Sequence, residues 1–169
     1  MDLDSQTARI ARALREEHFC RTGAGWFRLL SNSMRPLIRA GDRVLVQRLG
    51  AADLKRGDII LFRTGADIAV THRALKIFRM NDETFVLQKG DGGPGAGVIH
   101  GSCVVGRITV VQRNGKVIDL HTGWPRLRNF LLGVKNMALY RVEEYLFVLG
   151  KRLRQSRILG RLGFGKQMN

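Results

Sequence analysis

Between Trp26 and about Leu120 the apolar residues come in short β-forming runs, each closed by a turn signal, and this rhythm constrains the fold most tightly. The runs are Arg43-Val44-Leu45-Val46-Gln47, Asp58-Ile59-Ile60-Leu61-Phe62, Ala69 to Leu75, Phe85-Val86-Leu87 and the longer Val104 to Val111. Ala40-Gly41-Asp42, Arg56-Gly57-Asp58 and the stretch Gly90 to Gly95 punctuate them, and Arg113-Asn114-Gly115-Lys116 reads as a hairpin turn into Val117-Ile118. Roughly 95 residues of short strands predict a curled, mainly β domain and exclude a parallel α/β sheet.

Helical texture flanks this region. Leu3, Ile10, Ala11 and Leu14 share one face of a short amphipathic helix that Asp4 or Ser5 would cap and Gly23 and Gly25 would end. After Gly123, Leu127, Phe130, Leu131, Val134, Met137, Ala138, Val142, Tyr145, Leu146 and Leu149 follow helical spacing as far as about Gln155. The expected organisation is an N-terminal helix over 1–22, a β domain over 23–121 and basic amphipathic helices over 122–169, frayed from Arg157 onward.

Charge narrows the partners. The 169 residues carry 29 Lys and Arg against 14 Asp and Glu, a net charge of +15. From Trp124 to the end, ten basic residues face two acids, Glu143 and Glu144, so more than half of the excess lies there. Such an excess calls for an anionic partner. Basic charge beside an apolar helix face suits an anionic membrane surface, and equally a helix packed on the domain with a solvated basic face. Trp26, Phe27, Phe62, Phe78 and Phe85 read as core residues, and no aromatic–basic interleaving appears, which argues against nucleic acid.

Met1 to His18 is too charged for a signal peptide, and no run of 18 uncharged apolar residues exists. The reading is a cytoplasmic protein with peripheral contact at the inner membrane face through its C-terminal helices. Cys20 and Cys103 cannot build a disulfide framework or a zinc site, and read as two buried thiols in a reducing compartment. No metal or organic cofactor is implied.

The sharpest local feature is Leu30-Ser31-Asn32-Ser33-Met34-Arg35-Pro36, a serine-bearing turn ahead of Gly41-Asp42 and a strand. A serine nucleophile needs a base. Of His18, His72, His100 and His121, only His72 falls within a strand-like segment that would hold its ring rigidly. Asp91, at the mouth of the glycine-rich loop, is the carboxylate available to orient it. Asp42 and Asp58 read as turn residues, and Met34 as an apolar wall of the cleft.

Taken together these segments resemble the signal peptidase I family, which is related to self-cleaving repressors. Ser31-Asn32-Ser33-Met34-Arg35-Pro36 with Gly41-Asp42 resembles the nucleophile box, although Asn32 stands where the family usually has Gly. Lys55-Arg56-Gly57-Asp58-Ile59, Thr71-His72-Arg73, Gln88-Lys89-Gly90-Asp91 and Val105-Gly106-Arg107-Ile108 resemble the later boxes, in the family's order. The five boxes cover about half of the chain.

The resemblance implies Ser33 as nucleophile, with an oxyanion hole made of the Ser31 hydroxyl and the Ser33 N–H. It also implies His72 as base, as in the family's His branch; the common bacterial branch uses Lys at that position. Asp91 would support the imidazolium. The implied activity is a serine endopeptidase that removes a leader, signal or propeptide from a precursor polypeptide. The alternative is a catalytically inactive member of the fold that binds a peptide, membrane or nucleic acid through its basic surface.

Overall fold

Ile59-Ile60-Leu61-Phe62 is an unbroken apolar run, and only a strand covered on both faces can bury all four side chains. A computed structural model describes residues 17–66 and 68–163, with side chains as far as 147 in the C-terminal helix. In it this run forms the two-sided strand of a single antiparallel sheet. Ile59 and Leu61 enter one core with Met34, Ile38, Val44, Val46, Ile108, Val111 and Leu120. Ile60 and Phe62 enter a second with Ala51, Leu54, Ala74 and Val86.

The strands are β1 (Ala24–Arg28), β2 (Arg43–Arg48), β3 (Ile59–Arg63), β4 (Ala69–Met80), β5 (Glu83–Lys89), β6 (Ala96–His100), β7 (Val104–Arg113) and β8 (Lys116–Asp119). They pair in the order β1-β2-β7-β3-β4-β5-β6, and β8 also pairs with β7. Register shifts at Leu45/Val46, Leu61/Phe62 and Ala74/Lys76 interrupt the ladders. Such irregularities bend strands and re-aim their side chains. The last one lies two residues beyond His72.

The mainly β fold read from the sequence is the fold observed. The Asn114-Gly115 turn takes positive φ at both residues (49° and 77°), as a two-residue hairpin loop requires. β6 was not anticipated, because Gly95 and Gly97 disguise an edge strand as loop. Trp26 is a correction: it is 40% exposed on edge strand β1, with the Arg43 guanidinium over its ring. The thiols are another, since Cys20 is exposed and Cys103 only half-buried. Met34 is buried in the first core.

At the N-terminus the described part of helix α1 covers 17–22 and ends at Gly23 (φ 69°). The capping and apolar face expected over residues 3–14 lie outside the described residues. The C-terminal segment forms one continuous helix, α2 (Gly123–Gly163), and not several; 157–163 are helical, and 164–169 lie outside the described residues. No helix among the described residues is long and apolar enough to cross a membrane.

The two Gly-Asp turns use one device. Asp42 Oδ2 accepts from Arg39 N, and Asp58 Oδ2 accepts from Lys55 N, each at 2.8 Å. Asp42 also takes both arms of the Arg113 guanidinium at 2.9 and 2.6 Å, tying the serine-bearing turn to β7. Burial opposes ionisation of Asp42. The hydrogen bonds from Arg113 and Arg39 N, with the charges of both arginines, outweigh it and hold the carboxyl below its ordinary range.

A depressed folded-state value means the stabilisation is present above about pH 4, the unfolded value, and is lost as pH falls through the folded one. Asp42→Asn is expected to lower stability by about 1–3 kcal/mol at pH 7. In thermal unfolding followed from neutral to strongly acidic pH, wild type and variant should converge at the acid end. A constant gap across that range would contradict the assignment.

Candidate active site

The Ser-rich turn is held from below. Met34 and Ile38 are fully buried, Ile38 N donates to Met34 O at 3.0 Å, and Asn32 Oδ1 accepts from Ala40 N at 3.1 Å. Asn32 stands in for glycine without needing positive φ, since Asn81, Asp82 and Asn114 are the described non-glycine residues that adopt it. These anchors leave Ser31 exposed and Ser33 half-buried at the rim. Their hydroxyls lie 3.2 Å apart, and Ser33 Oγ donates to Thr71 O at 3.4 Å.

Thr71 precedes His72 on β4, so this contact seats the serine against the strand that carries the imidazole. Gly90 closes the arrangement. A Cβ added there would lie 2.8 Å from Ser33 O and 3.1 Å from His72 Nε2. Only a residue without a side chain lets serine turn, imidazole and loop meet at that point. Two residues on, Gly92 N donates to Ser33 O at 2.9 Å. The glycine-rich loop therefore lies directly on the serine turn.

His72 turns its Nδ1 to Gln88 Oε1 on the neighbouring strand β5. An amide oxygen can only accept, so Nδ1 carries the proton in that bond; in the neutral ring Nε2 then keeps its lone pair. Gln88 reaches the ring over Gly97, where a Cβ would stand 2.8 Å from its Nε2. The ring also tilts against Phe62, with centroids 6.0 Å apart.

Asp91 is not at the imidazole. Its side chain and that of Arg73 are fully buried, and they meet in a two-armed ion pair: Arg73 Nε to Oδ1 at 2.8 Å and Nη2 to Oδ2 at 2.6 Å. Helix α2 completes the shell, with Asn136 Nδ2 donating to Asp91 Oδ1 at 2.7 Å and Arg73 Nη1 donating to Asn129 Oδ1 at 2.7 Å. Arg73 Nη1 also donates to Gly57 O at 2.8 Å. Alternation along β4 explains the division: His72 points to one face of the sheet and Arg73 to the other.

The structure thus brings Ser31, Ser33 and His72 together and places Asp91 behind them. Gln88, Asn129 and Asn136 were missed. Gln88 lay in plain view in the box Gln88-Lys89-Gly90-Asp91, but a neutral amide does not advertise itself as an imidazole's partner. Asn129 and Asn136 read as ordinary polar positions of a helix, and their seven-residue spacing was the available signal.

A mainly β chain presenting Ser31, Ser33 and His72 at the end of strand β5 is the class that fold and geometry define. No family model matches the chain. A stretch of 69 residues is 36% identical to signal peptidase I W of Bacillus subtilis (strain 168), covering 40% of this chain and 36% of that protein. Over that stretch the chain is similar to a signal peptidase I. The match spans about a third of that relative's length.

Removing one partner of a fully buried ion pair leaves an uncompensated charge, so Asp91→Asn is expected to cost about 3–5 kcal/mol in urea unfolding. Gly90→Ala, with its Cβ driven onto Ser33 O, should destabilise and separate the glycine-rich loop from the serine turn. Hydrogen exchange at Gly92 N, faster than in wild type, would report that separation.

Proposed function

We propose that this chain is a serine endopeptidase resembling signal peptidase, cleaving a leader, signal or propeptide from a precursor protein by a Ser–His mechanism. The observation that carries the reading is the seating of Ser33 and His72 together against Gly90. The partial similarity to a signal peptidase I supports the same class.

In this reading Ser33 Oγ leaves Thr71 O and gives its proton to His72 Nε2 as it attacks the peptide carbonyl. Apo hydrogen bonds of catalytic groups commonly tighten only with substrate bound. The Ser31 hydroxyl and the Ser33 N–H receive the developing oxyanion. His72 then returns the proton to the leaving amine, and water repeats the cycle on the acyl-enzyme. Gln88 fixes the tautomer. Asp91 acts at one remove, holding Gly90 and β4 in register from behind.

Ser33→Ala and His72→Ala should each abolish endoproteolysis of a proteome-derived precursor peptide library read by mass spectrometry. Cleavage surviving in Ser33→Ala would overturn the mechanism, and a folded but inert wild type would favour the binding-module alternative. Gln88→Glu tests the tautomer assignment. A carboxylate on Nδ1 favours the imidazolium, so the acid limb of the kcat/KM profile should move to higher pH; an unmoved limb would remove Gln88 from the site.

A further inference from the structure

Helix α2 meets the sheet largely through polar side chains, with Leu132 packed beside them on the first core. Asn129, Asn136 and Glu143 recur every seven residues, so at about 3.6 residues per turn they form one stripe. That stripe faces buried charge: Asn129 and Asn136 reach Arg73 and Asp91, and Glu143 lies 3.7 Å from the buried Lys89 Nζ. Most of the helix's large apolar residues point away. Trp124, Leu127, Leu131, Val134, Val142 and Tyr145 follow the opposite side of the helix, each between 45% and 71% exposed. An apolar stripe this long in open solvent marks a docking surface.

Its borders are basic. Arg128 and Lys135 run along one edge, Arg126 and Arg141 along the other, and all four are exposed. The two carboxylates of 123–147, Glu143 and Glu144, fall on the sheet-facing half. On the Arg126 and Arg141 side the apolar face continues into a cavity of about 860 Å³ between α2 and the turn 55–58, where Arg56 adds positive charge beside Phe130 and Val134.

We infer that α2 lies on an anionic bilayer surface, its outward apolar stripe sunk among the acyl chains and its flanking Arg and Lys residues at the lipid phosphates. Charge chooses the occupant. A second copy would bring +15 against +15, whereas an anionic leaflet complements both the stripe and its borders. The helix is too polar to cross the bilayer, so it lies in the interface.

The inference is independent of the peptidase reading and can be measured on the 169-residue chain carrying Ser33→Ala. Vesicles of phosphatidylcholine with about a third phosphatidylglycerol should bind the chain at least about tenfold more tightly than phosphatidylcholine alone, with a blue shift of tryptophan fluorescence. Leu131→Glu with Val142→Glu, or Arg128→Glu with Lys135→Glu, should each weaken binding at least about tenfold. Because these side chains face away from the sheet, the thermal midpoint should hold. Equal binding to neutral vesicles, or binding indifferent to the Leu131/Val142 pair, would overturn the inference. So would a dimer in light scattering that the Leu131/Val142 pair dissolves while vesicles go unbound.

Discussion

The buried Arg73–Asp91 ion pair is the contact through which the other parts of the molecule are fitted together. Taking a guanidinium and a carboxylate out of water is costly, and the cost is met only if their remaining donors and acceptors find partners. Here they do so by drawing in three groups from two other elements: Gly57 O from the turn before β3, and Asn129 and Asn136 from α2. The pair also fixes the backbone at both of its own positions. Next to Arg73 is His72, and next to Asp91 is Gly90, the residue that touches serine turn and imidazole alike.

That demand for partners also explains the posture of α2. A helix packing on a sheet ordinarily turns its apolar stripe inward. This one turns its asparagines inward because the sheet offers it Arg73, Asp91 and Lys89, groups that apolar side chains could not satisfy. The apolar stripe is left facing out, between basic borders. The orientation of the helix is thus set by electrostatics at the back of the proposed catalytic centre.

The serine turn follows a different logic. Met34 and Ile38 bury its underside, Asp42 and Arg113 tie its far end to β7, and the glycine-rich loop covers it from above. The local pieces were readable: a Ser-x-Ser-Met turn, a histidine in a strand and a run of glycines. The order of the boxes pointed to Ser33 and His72 before any coordinates. What alternation along β4 hides from a linear reading is that adjacent residues serve opposite faces of the sheet. His72 goes to the serine, and Arg73 takes Asp91 away from it.

By itself the amino-acid sequence determined the mainly β fold, most strand positions, the Asn114-Gly115 hairpin, the basic helix and the serine and histidine candidates. All but the last depend on periodicity, turn chemistry and short-range spacing written within a few residues of one another, and the serine and histidine candidates rest also on the family resemblance of the boxes. Tertiary structure alone decided that Gln88 and not Asp91 meets the imidazole, that Trp26 is exposed, and that α2 shows its apolar face to solvent. Each of these turns on which buried charges must be satisfied across strands and helix, between residues as far apart as Arg73 and Asn129. No local pattern encodes that accounting.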